Sequence, residues 1–499
     1  MLFRSIFTDS PQTESVKWHE LEARINLARV QALRGANTTE TATALLASLP
    51  EVERLSNRVV EFQYYDTLAD LKMRSGDSLS EQRFLTSAIQ IADDGLQSLP
   101  TWRERLAWMD QHRQPYIMLT RLLLRSGDQQ SALDTWEHFR TATTKTLPKP
   151  VASTSVKPPA ATEVRLVSQG PSFPETRILT YAFSPDGLMI WVRRPSEIHA
   201  VYLSVPPRDL RRAAENFIGE CSRPDSDMSN LRSDAHYLYT WLIQPVSQWL
   251  PSSGHMIVEP DGILGVVPME ALMDPAGAYL GTRYTITMAS SLRASDSATE
   301  GVVIRASDRA LIVAAPTDLN GSLDPPAGTM AEARNVAERF IKPTVLTGSD
   351  AKVSRVGTEL GRSGVFHFAG HAGLGRNGAA MLMADGPLGA GQTRAFDGHS
   401  LSNLKLAVFS ACGTAKPSET SESDSLVSEF LQAGARNVVA SRWNVDSMAT
   451  SDFIEIFYGA VLSGDSVADA LQTAADAFRK TPGRSHPYYW AAFSAFGRA

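Results

Sequence analysis

Cysteine is nearly absent. The 499 residues hold two, Cys221 and Cys412, far apart in the chain. That excludes a disulfide framework and a four-cysteine zinc site, and it fits a reducing compartment. Charge of one sign is lacking as well: 48 Lys and Arg stand against 54 Asp and Glu, for a net charge of −6. Binding nucleic acid needs a basic surface, so no direct nucleic-acid partner is expected. Long apolar runs are missing too. No segment approaches the ~18 consecutive apolar residues of a membrane span, and the opening run is broken at Arg4 and Ser5, too early for a secretory signal. The expectation is a cytoplasmic protein without a membrane partner. What is present is ordinary globular material, 43% hydrophobic and 20% charged. At roughly 150 residues per domain the length predicts about three units.

Residues 14 to about 140 read as helices. Ile25, Leu27, Val30 and Leu33 recur at helical spacing, and Gly35 closes the run. The stretch Leu68 to Asp77 returns as Leu119 to Asp128, each copy ending in Arg-Ser-Gly-Asp. After the second copy, Ala132, Leu133 and Trp136 begin another helix with one apolar side. Helix, Gly-Asp turn and Ala-containing helix resemble a tetratricopeptide hairpin, in an irregular array since the copies lie further apart than a tandem repeat. Such stacks offer a concave surface to protein partners. Residues 141–176, with Pro148, Pro150, Pro158 and Pro159, read as a linker.

Beyond the linker, Ile178 to Val192 reads as a hairpin turning at Ser184 to Gly187, His236 to Leu250 as a helix, and Met256 to Val267 as a second hairpin. From about residue 308 short apolar runs alternate with amphipathic helices. The runs are Ala310–Ala315, Gly364–Ala369, Leu404–Ser410, Asn437–Ser441 and Ala491–Phe496. This rhythm predicts an α/β fold, a mostly parallel sheet flanked by helices, with chemistry at the carboxyl ends of its strands.

Two strand ends carry chemistry. One runs into Gly370 and delivers His371; the other ends at Cys412. On neighbouring strands they would face each other as a nucleophile and its base. From its strand alone, Cys412 reads as a buried packing residue. His367 and His371, four apart, have the spacing of a metal pair but lie on a strand, without H-E-x-x-H and without a third ligand, so neither metal nor cofactor is expected. Alternation places His367 on the face of Val365 and Ala369, as an interior or supporting residue.

Together the blocks resemble the CHAT family, relatives of caspases and separases. They are His367-Phe368-Ala369-Gly370-His371, Phe409-Ser410-Ala411-Cys412-Gly413-Thr414, Ala433 to Trp443 and His486 to Phe493, with Val258 to Gly262 and Val267 to Leu272 upstream. The resemblance covers about residues 177–499 and divides them into a pseudo-peptidase-like part, 177–307, and a catalytic part, 308–499. It implies a cysteine endopeptidase with Cys412 as nucleophile and His371 as base. The N–H groups of Cys412 and Ala372 would form the oxyanion hole. Ala372 stands where the family usually has glycine, a cost if that position needs positive φ. Asp385, Asp397, Asp446 and Glu332 are candidate walls of a pocket for a basic P1 side chain. The polar stretch from Gly413 through Pro417 to Ser425 reads as a solvated loop or, by the resemblance, as an activation loop. The family's known partners, CRISPR-associated effectors and gasdermin-like pore formers in bacterial defence, imply a protein substrate and an activating protein partner on the helical repeats. The competing reading is a catalytically inactive scaffold.

Overall fold

The computed structural model describes residues 12–55, 57–142, 176–194, 197–289, 302–314, 328–375, 378–389, 401–411, 413–415, 425–444 and 446–497. The chain divides into two compact units, Met1–Thr154 and Ser155–Ala499. The predicted linker falls at this division, and its residues from 143 to 175 lie outside the described ones. Among the described residues no helix is long and apolar enough to cross a membrane.

The first unit is built from helices α1 (Gln12–Leu33), α2 (Thr38–Leu46), α3 (Leu49–Leu55), α4 (Arg58–Ser75), α5 (Ser78–Leu96), α6 (Trp102–Gln111), α7 (Arg113–Arg125) and α8 (Gln129–Thr141). The echo in the sequence is a repeated device. Gly76 and Gly127 end α4 and α7 in the left-handed region, φ 75° and 88°. There the N–H of Asp77 reaches back to Lys72 O, and that of Asp128 to Leu123 O, both at 3.0 Å. Each aspartate then caps the next helix: Asp77 accepts from Ser80 N–H at 3.2 Å and Asp128 from Ser131 N–H at 3.0 Å. One Gly-Asp pair thus closes one helix and opens its partner. Ala132, Leu133 and Trp136 are buried as expected. The α1 face differs from the expected one. Ile25 is buried, but Leu27, Val30 and Leu33 are exposed; the buried stripe is Leu21, Ile25, Ala28 and Ala32. Small alanines let neighbouring helices approach, while Leu27, Val30 and Leu33 fall outside the stripe.

The second unit is mixed α/β. Its first part holds β1 (Arg177–Ser184), β2 (Gly187–Arg194), β3 (Glu197–Leu203), α9 (Pro207–Cys221), α10 (Met228–Leu242), β4 (Gly254–Glu259) and β5 (Tyr284–Met288). There follow β6 (Ala310–Ala314), α11 (Thr329–Ala337), β7 (Thr344–Thr347), α12 (Val353–Leu360), β8 (Val365–Ala369), β9 (Ala372–Gly375), β10 (Gly378–Met383) and β11 (Gly386–Gly389). The last group is β12 (Leu406–Ser410), α13 (Leu426–Ala433), β13 (Asn437–Ser441), α14 (Ser447–Ser463), α15 (Val467–Lys480) and β14 (Phe493–Gly497). Eleven strands form one sheet in the order β3-β2-β1-β4-β5-β14-β13-β12-β8-β6-β7. The pairs within β13, β12, β8, β6 and β7 are parallel, and their strands are fully buried except at the β7 edge and Asn437. Burial on both faces is why these strands read as unbroken apolar runs. β14 runs antiparallel to β13 and parallel to β5, so it joins two half-sheets of opposite direction.

The Ser184–Gly187 hairpin forms as expected, with β1 and β2 in antiparallel register. Two expectations fail. The run after β4 is not a return strand: Gly262–Val266 is a 3₁₀ helix, and Leu264 and Val267 are buried at its three-residue period. The helix expected over His236 to Leu250 is α10, ending at Leu242, followed by a 3₁₀ helix at Gln244–Trp249. Pro245 has no N–H to continue the α-helix. Beyond β8, β9, β10 and β11 form a small antiparallel sheet.

Candidate active site

The site grows from two adjacent strands. β8 and β12 pair in parallel with Phe368 opposite Phe409 and Ala369 opposite Ser410. The Gly370 N–H donates to Ser410 O at 3.3 Å just beyond. His371 and Cys412 are therefore each two residues past the same register pair. Cys412 lies outside the described residues; Ala411 and Gly413, which flank it, are described.

The turn after β12 is fastened to the end of β13. Thr414 is fully buried. Its hydroxyl lies 3.3 Å from Ala411 O and 3.4 Å from Phe409 O, and it accepts from Ser441 N–H at 3.0 Å. The Ser441 hydroxyl donates to Ala411 O. Ala415 N–H donates to Ser441 O at 2.9 Å. Gly413 takes a positive φ of 62°, which a glycine adopts without a Cβ clash. Hydrogen bonds thus hold Ala411 on one side of Cys412 and Thr414 and Ala415 on the other. Thr414 and Ser441 both stood in matched blocks, but nothing local in either announces that they meet.

A cleft of about 50 Å³ lies here, lined by Gly370, Ser410, Ala411, Ser441, Trp443 and Glu332 among others. It opens at the carboxyl ends of β8, β12 and β13, where parallel sheets hold ligands. Glu332, on α11, is 5% exposed. Its Oε1 comes within 3.1 Å of His367 Nε2, off the hydrogen-bond line. Among the described residues neither atom has a hydrogen-bond partner. Behind them His367 is fully buried, with Nδ1 3.3 Å from the Tyr458 hydroxyl. Burial, and the Glu332 carboxylate next to it, push the Tyr458 phenol well above the ordinary tyrosine range.

His371 is partly buried. Its carbonyl accepts from Leu382 N–H at 3.0 Å. Ala372 is opposite Met381, so antiparallel alternation turns the Ala372 N–H away from β10. Ala372 opens a strand, in extended backbone that alanine adopts freely.

The remaining expected site residues are spread out. Asp385 is exposed in the turn between β10 and β11 and accepts from Val353 N–H at 2.8 Å, at the start of α12. Asp446 is the exposed N-cap of α14, accepting from Met448 and Ala449 N–H at 3.1 and 3.0 Å. Neither is among the residues that line the cleft. Both carboxylates accept hydrogen bonds from helix starts. Ser425 caps α13 by accepting from Ser428 N–H at 3.1 Å. Asp397 and Pro417 lie outside the described residues. Cys221, the last residue of α9, is fully buried, and burial pushes its thiol well above the ordinary range, with Glu270 adding to the rise.

Helical hairpins followed by a mostly parallel α/β unit with a strand-end cleft define the class. A family model for the CHAT domain matches residues 232–498, more than half of the chain, and the protein belongs to that family. Two curated relatives match short segments. The mouse tetratricopeptide repeat protein 28 is 31% identical over 96 residues, 19% of this chain and 4% of that protein. The human protein of the same name is 38% identical over 72 residues, 14% of this chain and 3% of that one. Similar solved structures include the Saccharomyces cerevisiae separase–securin complex. One has a TM-score of 0.47 at 11% identity, covering 88% of this chain and 37% of that one. A second has 0.44 at 10%, covering 97% and 40%. The chain thus spans well under half the length of these relatives.

Proposed function

We propose that the protein is a cysteine endopeptidase acting through Cys412 and His371. The observation that carries this reading is the in-register adjacency of β8 and β12, which end together at one cleft. In the proposed reaction His371 accepts the Cys412 thiol proton and the thiolate attacks the scissile carbonyl carbon. The N–H groups of Cys412 and Ala372 receive the oxyanion. The amine leaves with the proton held by His371, and the thioester is hydrolysed by water activated at the same imidazole.

The substrate side chain we assign to the cleft is basic. Glu332 is a buried carboxylate with an oxygen lacking a hydrogen bond, and such a group favours a cation. We further propose that the helical unit receives an activating protein, and that the isolated chain cleaves slowly until it docks. A role in bacterial defence or regulated cell death, with a CRISPR-type effector or a gasdermin-like protein as partner, follows from the family resemblance alone.

The test incubates the full chain with proteins encoded beside its gene, with and without candidate activators, and compares wild type with Cys412→Ala and His371→Ala. Wild type should cut at a Lys or Arg and both variants should be inert. Cleavage by all three, or by none under any partner condition, overturns the peptidase reading. Glu332→Gln should lower kcat/KM for basic P1 about ten- to hundredfold, the scale of a lost charged hydrogen bond. Unchanged P1 preference overturns the pocket assignment.

A further inference from the structure

The seam between the half-sheets holds a second cavity. β5 and β14 share two register pairs, Thr287 with Ala495 and Met288 with Phe496. Towards Tyr284 the pairing stops, and a cavity of about 40 Å³ lies there against α15. Two buried polar side chains that line it each carry a donor without an acceptor among the described residues. Arg442 is 2% exposed. Its Nη1 donates to Glu270 and to Ala491 O, and its Nη2 to Glu270 at 3.2 Å. Among the described residues its Nε–H has no acceptor. Ser494, 4% exposed, has a hydroxyl without a partner among the described residues. By the register, Ser494 shares the sheet face of Ile286 and Met288, which also line the space.

A buried donor is costly without an acceptor, so these two groups favour an incoming acceptor. The Glu270 oxygens are already engaged by Arg442, so the open groups at this end are an N–H and an O–H donor. The guanidinium groups of Arg442 and Arg479 line the cavity against one lining carboxylate, Glu270; Arg479 is paired with Asp476 and lies 4.6 Å over the Trp490 ring. The rest of the wall is apolar, including Ile286, Met288 and Leu471.

We propose that this cavity binds a small organic carboxylate. The carboxylate accepts from Arg442 Nε and Ser494 Oγ, and an apolar body packs on Ile286, Met288 and Leu471. Arg442 directly follows Ser441, whose hydroxyl and N–H tie the turn that carries Cys412. The ligand therefore sits one residue from that tie.

The probe is benzoate, with benzamide as its neutral counterpart, titrated into the full chain carrying labelled methionine and isoleucine methyl groups. Benzoate should shift the Met288 and Ile286 methyl signals saturably, and benzamide should bind at least severalfold more weakly. Ser494→Ala should weaken benzoate about three- to tenfold, one hydrogen bond, without lowering the melting temperature, since that hydroxyl has no partner to lose. Leu471→Trp, which fills the space, should abolish the shifts. Silence at Met288 up to the solubility limit, equal affinity for benzamide, or undiminished binding in the well-folded Ser494→Ala chain overturns the proposal.

Discussion

Thr414 is the residue on which most converges, because one buried hydroxyl joins the turn around Cys412 to β13. Thr414→Val keeps the shape and removes the hydroxyl, leaving the Ser441 N–H without its acceptor. The expected loss is about 1–3 kcal/mol of stability, read from urea unfolding. The proposed peptidase should also lose kcat with little change in KM, because the lesion moves the nucleophile's turn and leaves the Glu332 wall alone. At this scale the sequence was legible where chemistry sits on a local signal. His371 follows an apolar run and a glycine, so its position at a strand end could be read directly. Asp446 carried a readable signal of another kind, an aspartate just before an apolar helix, which is the pattern of a cap. Asp385 carried none, because the N–H it accepts belongs to Val353, in another segment. The approach of Glu332 to His367 likewise exists only once α11 packs over β8.

At the scale of elements, the Gly-Asp junctions make a quantitative claim. Asp77→Ala and Asp128→Ala each remove one N-cap and should each cost about 1 kcal/mol, additively because the two junctions cap different helices. Thermal unfolding of the two single variants and the double variant checks it; a cost confined to one junction would refute the shared device. The junctions were legible because glycine and aspartate act on their nearest neighbours. The alternation of β6 to β14 with helices was legible because strands buried on both faces give unbroken apolar runs. The small sheet of β9, β10 and β11 was not. Gly373, Gly375, Gly378, Gly386 and Gly389 supply few side chains to mark a strand. The segment after β4 was misread for a related reason, since a short apolar run fits a strand and a 3₁₀ turn equally until its buried positions are known.

For the whole molecule, pH offers a test that spans both units. Burial pushes His112 in the helical unit, and His255 in the α/β unit, below the ordinary imidazole value of 6.5. Below that value the unfolded chain takes up protons that the folded chain resists, so stability falls as pH drops through about 6.5 and is unaffected above it. His255→Gln should lose less stability than wild type between about pH 7.5 and about pH 5.5, measured by urea unfolding. An equal loss would exclude His255 as a contributor. The order of the eleven strands was the part least open to sequence reading, because nothing local in Phe493–Gly497 says that it belongs in the middle of the sheet. That placement has a consequence during synthesis. The half-sheet ending at β5 and the half-sheet ending at β13 can each assemble as their residues leave the ribosome, but neither has its neighbour until residues 493–497 emerge. Until then each presents a bare strand edge, the kind of surface that pairs wrongly with other chains. The strand that joins the two half-sheets is the last of the described strands to be made, so a chain halted before residue 493 holds two unjoined half-sheets.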